Sequence, residues 1–325
     1  MTVERILLVS LDNLGDLVFA SALPPAIKAH YPQATIGLWC KAYTADIAPL
    51  FPDVSWTAAA DPFWDDAPGR PKGPVGPFID SVRRVREGRF DVALIASPQW
   101  RVAAAVATTG IPIRIGQHRN YNRALLTTVL PAADRGRPVL ADLATLLEPL
   151  GISAAVLTTN LDPGPLSELR RSYRNTLGPL PVAVINPFVT LSPVGIDWTI
   201  WWEVGRMLIE RRYTVVWHGT APQLEHFRRH ISYFEPKWRC SDQFSGGTLR
   251  EGAAVLASAD VYFGCDSGPL HLSGAFGVPT VGVYPNASKL PRFAPQGRGP
   301  SRVVSGPITA EAIISAFDSF PRHLT

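Results

Sequence analysis

The sequence predicts an α/β protein with two doubly wound domains that face each other across a central cleft. Short apolar runs, typical of buried parallel strands, alternate with helical segments along the whole chain. The alternation stops once, near residues 160–180, and then restarts. A length of 325 residues and a hydrophobic content of 46% suffice for two cores. Ligands of such sheets bind beyond the carboxyl ends of the strands, so we expect the functional site in the cleft.

The first domain is expected to cover residues 1–165. Pro, Gly and Asp dominate residues 61–78, which predicts a long loop of a kind that often carries function. In chain order, the predicted strands are 5–10, 35–40, 54–57, 90–96 and 113–116, and the predicted helices are 17–30, 43–50, 79–86, 101–108 and 140–150.

The second domain is expected over residues 180–308, after a linker rich in Pro and Gly. The last segment, residues 309–325, carries a C-terminal helix, for which packing back on the first domain is one arrangement. In chain order, the predicted strands are 182–186, 214–217, 261–264 and 280–284, and the predicted helices are 200–211, 225–230, 249–257, 270–276 and 310–320.

Composition limits the class of protein. The formal net charge of +4 suits an anionic substrate or an anionic membrane surface, and it does not by itself indicate nucleic-acid binding. Three cysteines without a C-x-x-C pair argue against a disulfide framework or a zinc site and favour a reducing cytoplasm. Neither a signal peptide nor a run of 18 apolar residues is present in the sequence. We therefore expect a cytoplasmic protein, with peripheral contact at the inner face of the cytoplasmic membrane as an option.

Several motifs that define other enzymes are missing from the sequence. It contains no P-loop, no G-x-G-x-x-G after the first strand and no G-x-S-x-G. It also lacks D-x-D and any close cluster of His, Asp and Glu with metal-ligand spacing. We therefore expect no cofactor and a mechanism that needs no metal.

A carboxylate stands at the start of the first helix, in the stretch "LVSLDNLGDLVFASALPPAIKAH". Asp16 follows Gly15 directly after the polar turn that ends the first strand. An acid in the first helical turn stabilises the helix by about 0.3–1 kcal/mol, which is the simpler interpretation. The alternative is a general base at the edge of the sheet.

The densest motif is "VYFGCDSGPLHLSGAFGVPTVGVYPN", residues 261–286. A strand ends at Gly264, a small polar turn follows, and Pro269 stands where a first helical residue is expected. The amides of such a first turn bind anions, and a diphosphate fits there. Asp266 would then accept hydrogen bonds from sugar hydroxyls, although a plain capping turn is also possible.

These two motifs resemble the signatures of the bacterial heptosyltransferase family, glycosyltransferase family 9. "D-[ST]-G-x-x-H-L-x-x-A" followed by "G-V-P-T-V" is similar to its donor-site signature, and "NLGDLVFASALPPAIK" is similar to its N-terminal signature. The motifs lie in the family's order and about as far apart as the family requires. Together with the alternation of strands and helices, the resemblance covers most of the chain.

The resemblance implies a GT-B fold with two Rossmann-like domains, the first for the acceptor and the second for the sugar nucleotide. It also implies inverting transfer without a metal. By resemblance, Asp16 is the general base that takes the proton of the acceptor hydroxyl. The donor-binding loop would comprise Asp266, Ser267, Gly268, Pro269, Leu270 and His271. His271 has two interpretations, a packed first-turn histidine or a hydrogen-bond donor to phosphate.

The remaining candidates carry weaker signals. In "VVWHGTAPQLEHF", Gly219 and Glu225 follow the strand after which the family binds the nucleoside, and Glu225 is either a ribose ligand or a solvated acid. Asn13 and Gly15 are acceptor-side candidates, and Asp12 or Asn13 could instead shape the loop. Two further candidates, Arg119 and Arg123, form either a solvated basic face or an anion site on the acceptor side.

One position departs from the family pattern. The family has a Lys before Trp-Pro that offsets charge on the leaving diphosphate, and here Ile196 stands near that position, before Trp198-Thr199. Thr190 and Ser192 remain as neutral donors, and Lys289 or Arg292 are electrostatic substitutes.

The sequence therefore predicts a glycosyltransferase. Its donor would be a nucleotide sugar, with ADP-heptose favoured, and its acceptor a lipopolysaccharide inner-core sugar. One alternative keeps the fold and uses a small natural product or a protein as acceptor. Another alternative is a catalytically weakened protein that only binds sugar nucleotides. Ile196, near the position of the family's lysine, is the feature that supports it.

Overall fold

The computed structural model describes residues 3–65, 72–153, 156–189, 196–230, 238–241 and 248–321. The chain divides into two compact units, Met1–Thr159 and Asn160–Thr325. Each unit contains one six-stranded sheet in which every pairing is parallel. In the part of the chain that is described, every helix is too short or too polar to span a lipid bilayer.

The first unit has the strand order β3-β2-β1-β4-β5-β6. Its strands are β1 (Arg5–Ser10), β2 (Thr35–Cys40), β3 (Val54–Ala59), β4 (Val92–Ile95), β5 (Ile113–Gln117) and β6 (Thr128–Leu130). Its helices are α1 (Leu14–Ala20), α2 (Leu23–His30), α3 (Val75–Glu87), α4 (Trp100–Thr108) and α5 (Val139–Ala144). The order of the strands reverses between β1 and β4, and the loops after these two strands define the switch point where ligands of such sheets bind.

The single helix predicted over residues 17–30 is two helices. The backbone amides of Ser21 and Ala22 bond to carbonyls three residues earlier, which closes α1 with a tight turn. Pro24 and Pro25 follow, and neither can donate a backbone hydrogen bond back to the preceding turn. The segment therefore restarts as α2.

The second unit has the strand order β12-β11-β10-β7-β8-β9. Its strands are β7 (Val182–Asn186), β8 (Thr214–His218), β9 (Trp238–Ser241), β10 (Val261–Cys265), β11 (Thr280–Tyr284) and β12 (Ser301–Ser305). Its helices are α6 (Ser167–Leu177), α7 (Trp198–Glu210), α8 (Ala221–His230), α9 (Leu249–Leu256), α10 (Gly268–Ala275), α11 (Leu290–Phe293) and α12 (Ala310–Asp318). The switch point of this sheet lies between β7 and β10.

The second unit begins earlier than the predicted domain start at residue 180. Helix α6, which the sequence assigned to the linker, is tied to the turn before β10 by an ion pair of 2.8 Å between Arg174 Nη1 and Asp260 Oδ2. The same carboxylate oxygen accepts the backbone N–H of Val182 at 2.6 Å, at the start of β7. Helix α6 is thus part of this unit.

The C-terminal helix α12 also belongs to the second unit. Its apolar residues Ile313, Ile314 and Phe317 are buried in one core with Trp201 and Leu208 of α7. The apolar face of α12 is therefore used inside its own unit, whereas the sequence had left packing on the first domain as an option.

Candidate functional site

The predicted turn between strand and helix lies at the switch point of the second sheet. Strand β10 ends at Cys265, Asp266 follows, and Ser267 is the extended residue that precedes α10. Pro269 occupies the first helical turn, as its spacing predicted. The Ser267 hydroxyl donates to the Cys265 carbonyl at 3.1 Å, which holds the turn closed.

Asp266 is the charged centre of this turn. Its side chain is only 15% exposed, and one carboxylate oxygen lies 3.5 Å from His271 Nε2. The other oxygen lies 3.4 Å from Lys289 Nζ, which comes from the turn after β11. The turn therefore gathers an acid, an imidazole and an ammonium beside the first turn of α10.

A small cavity of about 20 Å³ opens against two of these groups, the Asp266 carboxylate and the Lys289 ammonium. It is lined by Val189, Cys265, Asp266, Tyr284, Pro285, Asn286 and Lys289. Burial raises the pKa of the Cys265 thiol to about 12, and the charge of Asp266 adds to that rise. The thiol therefore stays protonated at neutral pH and is no nucleophile. The Tyr284 hydroxyl donates to the Phe293 carbonyl at 2.6 Å.

A larger cavity of about 380 Å³ lies beyond the ends of β7 and β8, and it shares Val189 with the small one. It is lined by Pro187, Phe188, Val189, Ile196, Trp198, Trp201, Pro222, Gln223 and His226. The Trp198 ring makes edge contacts with His226 and Phe188, with centroids 5.2 and 5.7 Å apart. Such an aromatic cavity with a few polar groups can hold a planar group of the size of a nucleobase.

Gly219 is required by the packing of this cavity. A Cβ at this position would come within 2.4 Å of Phe188 Cε2. Glu225, by contrast, is about half exposed on α8 and pairs with Arg229 at 3.2 Å. The cavity is lined instead by Gln223 and His226 of the same helix. The sequence analysis missed both, because the helix predicted over residues 225–230 left Gln223 out; on α8 their spacing of three residues puts them on one face.

The other donor candidates, and Ile196 at the position that departs from the family, lie in different surroundings. Gly268 begins α10. Thr190 and Ser192 lie outside the described residues. Leu270 is fully buried and His271 is 5% exposed, so the His271 ring is packed and at the same time faces Asp266. Ile196 is 7% exposed within the apolar core of the second unit.

Asp16 lies exposed on the first turn of α1, just beyond the carboxyl end of β1. Asn13 is the residue that precedes the helix, and its carbonyl accepts the Leu17 N–H at 3.0 Å. Gly15 completes this turn. A carboxylate therefore lies at the switch point of the first sheet, at the edge where the sequence analysis placed it.

A partly buried polar network lies at the same edge of the first sheet and was not predicted. Asp12 accepts from Gln99 Nε2 at 2.9 Å, and these residues follow β1 and β4. Burial raises the pKa of Asp12, while hydrogen bonds from Ser97 and Gln99 oppose the rise. Lys41, directly after β2, is 2% exposed and lies 2.5 Å from Asp65. The sequence signal that could have indicated this network is the polar residue found just after each of the strands β1, β2 and β4.

Arg119 and Arg123 are exposed on a 3₁₀ turn at Asn120–Leu125. The backbone amide of Arg119 donates to Asn122 Oδ1 at 2.8 Å, so the turn is held by its own asparagine. Both guanidinium groups are thereby available to solvent, which suits a basic face and an anion site alike.

Two successive units with this strand order are Rossmann-like domains, and the pair defines the GT-B class of glycosyltransferase folds. The model of "Glycosyltransferase family 9 (heptosyltransferase)" matches residues 79–305, which is more than half of the chain. The chain belongs to this family and is a glycosyltransferase.

Similar proteins agree with this assignment. Lipopolysaccharide heptosyltransferase 2 of Escherichia coli K12 is 23% identical over 92% of this chain and 87% of its own. A solved family 9 glycosyltransferase from Veillonella parvula has a TM-score of 0.79 and 17% identity, covering 97% of this chain and 96% of its own. An E. coli heptosyltransferase solved with ADP has a TM-score of 0.78 and 16% identity, covering 97% and 99%.

Proposed function

We propose that this enzyme transfers heptose from ADP-heptose to a hydroxyl of a lipopolysaccharide inner-core sugar, with inversion and without a metal. The observation that carries the donor part is the turn at Asp266, where an acid, His271 and Lys289 meet beside the first turn of α10. The choice of heptose and of the acceptor is supported by the names of the relatives, which include lipopolysaccharide heptosyltransferases 2 and 3.

In this proposal the second unit binds the sugar nucleotide. The diphosphate lies against the N-terminal amides of α10, where the helix dipole favours negative charge. The nucleobase enters the aromatic cavity beside Trp198 and His226. Asp266 accepts hydrogen bonds from hydroxyls of the sugar. The two cavities share Val189, which is consistent with one ligand that extends across both.

The chemical step needs one base and one leaving group. Asp16 takes the proton of the acceptor hydroxyl as its oxygen attacks the anomeric carbon. The bond between that carbon and the diphosphate oxygen breaks, and ADP leaves with the bonding electrons. Attack from the face opposite the leaving group inverts the anomeric centre. The acceptor is held on the first unit, with Asn13, Gly15, Arg119 and Arg123 as its proposed contacts.

A second candidate is a sugar-nucleotide-binding protein with weakened turnover. The observation that favours it is Ile196, which puts a buried apolar side chain where the family has a cation. A panel of nucleotide sugars, assayed with and without a lipopolysaccharide core acceptor, separates the candidates. The proposal predicts ADP release and heptosylated product only when ADP-heptose and acceptor are both present. Tight binding of ADP-heptose without product would favour the binding protein, and transfer of another sugar would correct the donor.

A further inference from the structure

In this chain an uncharged residue, Ile196, stands near the position where the family has a lysine before Trp-Pro. The Ile196 side chain packs in the core of the second unit with Trp201 and Phe188. Departure of a nucleoside diphosphate nevertheless leaves negative charge, which a positioned cation stabilises. If the proposed donor is right, this charge has to be offset from another part of the site.

Lys289 and Ile196 lie on either side of the turn at Asp266, because Lys289 follows β11 and Ile196 follows β7, the two strands that flank β10. Lys289 ends the 3₁₀ turn Ala287–Lys289, which follows β11, the neighbour of β10. Asn286 holds this turn, because its Oδ1 accepts from the Ser288 backbone at 3.0 Å and from the Ser288 hydroxyl at 2.7 Å. The lysine therefore starts from a fixed backbone position and has only its own side chain to orient.

The ammonium group of Lys289 is directed into the site. Its Nζ lies 3.4 Å from Asp266 Oδ2, and both residues line the small cavity. The side chain of Lys289 is 37% exposed, so it is not sealed inside the protein. An ammonium has three N–H donors, so contact with Asp266 leaves donors for phosphate oxygens.

Arg292, the other cation of this segment, is less suited to the role. Its guanidinium lies 5.7 Å from the centre of the Phe293 ring, in a cation–π contact. It does not line the cavity that Asp266 and Lys289 share. The geometry thus distinguishes between the two cations that the sequence left open.

We propose that Lys289 binds the diphosphate of the donor and offsets the charge of the leaving group, in place of the lysine that Ile196 replaces. This proposal rests on the proposed function and adds the residue that recognises the phosphates. Asp266 holds the ammonium in place while the site is empty. When the donor binds, Lys289 bridges Asp266 and the phosphate oxygens.

Calorimetric titration of ADP and of adenosine tests the proposal. Lys289→Met should weaken ADP binding about 10- to 100-fold, because a charge-assisted hydrogen bond is lost, and should leave adenosine binding unchanged. Lys289→Arg should retain most of the ADP affinity. Arg171→Met, which removes an exposed cation from α6 of the same unit, is the matched control and should bind ADP as the wild type does.

The outcomes separate this proposal from the proposed function. Wild-type ADP affinity in a folded Lys289→Met variant would overturn the role of Lys289 and leave the donor assignment intact. Equal losses for ADP and adenosine would overturn it too, because they would indicate a structural role. If the wild-type protein binds no ADP, that result would contradict both the proposed function and this inference.

Discussion

Asn186 Nδ2 lies 3.1 Å from His218 Nδ1, and the two side chains join the carboxyl ends of the adjacent strands β7 and β8. Asn186 Oδ1 accepts the Phe188 N–H at 3.1 Å, so the amide is oriented and its nitrogen donates to the imidazole. His218 Nδ1 is therefore an acceptor and its proton is on Nε2. The pair fixes the backbone at Phe188, which lines the aromatic cavity.

His218 makes stability depend on pH. Complete burial lowers its pKa from 6.5 to about 3, against a hydrogen bond with the Gly252 backbone. Below pH 6.5 the unfolded chain binds a proton at this residue and the native state does not. The free energy of unfolding should therefore fall as the pH falls from 6.5 towards 3, by about 1.4 kcal/mol from this group between pH 7.5 and 5.5.

Urea denaturation at the two pH values, for the wild type and for His218→Gln, measures this contribution. Other groups titrate equally in both proteins, so the difference between their pH dependences isolates the histidine. The variant should lose about 1.4 kcal/mol less than the wild type on acidification. Identical pH dependences would show that His218 takes up its proton in the native state as it does in the unfolded chain.

The ion pair of Lys41 with Asp65 should contribute to the stability of the first unit. Removing one partner of a buried pair typically costs about 3–5 kcal/mol, and Asp65 keeps 25% exposure, so we expect about 3 kcal/mol for Lys41→Met. Lys72→Met, at an exposed lysine of the same unit, should be nearly silent. Denaturation of Lys41→Met, Asp65→Asn and the double variant should give losses that are clearly less than additive. Additive losses would mean that the two charges do not interact.

The sequence was sufficient for the central strands and for the edge strand β3, and it missed the other three edge strands. Strands such as β7 and β10 are buried along their whole length and read as continuous apolar runs. The edge strand β12 has the sequence SRVVS and buries one of five residues, so its pattern is weak. The other edge strand of that sheet, β9, was also not predicted, nor was the three-residue β6.

In the candidate site, too, the sequence predicted the local features and missed the contacts between distant residues. The turn at Asp266 could be predicted because Asp, Gly and Pro act through local backbone geometry at a fixed spacing. The contact between Asp12 and Gln99 joins residues 87 positions apart and depends on which strands are neighbours. Lys289 was one of two possible cations until the structure brought its ammonium to Asp266.

Asp266→Ala should separate recognition of the sugar from recognition of the phosphates. If its carboxylate accepts from sugar hydroxyls, affinity for ADP-heptose should fall at least about tenfold. It should fall by a larger factor than affinity for ADP, which loses only the positioning of Lys289 by Asp266. Asp318→Ala removes an exposed carboxylate of the same unit and serves as control. Calorimetry with both ligands checks this, and unchanged affinity for ADP-heptose would make Asp266 a structural cap.

Transfer should not depend on a divalent metal. Among the described residues, no group of three His, Cys, Asp or Glu side chains is arranged to hold a metal ion. Excess EDTA should therefore leave the initial rate of transfer nearly unchanged. The opposite result, activity lost to the chelator and restored by Mg²⁺ or Mn²⁺, would contradict the proposed mechanism.

Asp16→Asn tests the proposed general base. The side chain is exposed on the first turn of α1, so as a helix-stabilising acid it contributes at most about 1 kcal/mol, and asparagine is tolerated well near helix starts. As a base it contributes about 10²–10⁴-fold to the rate, so kcat should fall by that factor. The melting temperature and the affinity for ADP-heptose should hardly change, because neither depends on proton removal from the acceptor.

Asp80→Asn is the matched control for this variant, since Asp80 is an exposed carboxylate on α3 of the same unit and pairs with Arg83 three residues later. It should retain wild-type kcat. The decisive comparison is the turnover of Asp16→Asn and of Asp80→Asn with a verified acceptor, beside their thermal melts. A folded Asp16→Asn variant with wild-type turnover would exclude Asp16 as the base. The proton would then have to pass to another group at this edge of the first sheet, where Asp12, with its pKa raised by burial, is the nearest carboxyl group in the sequence.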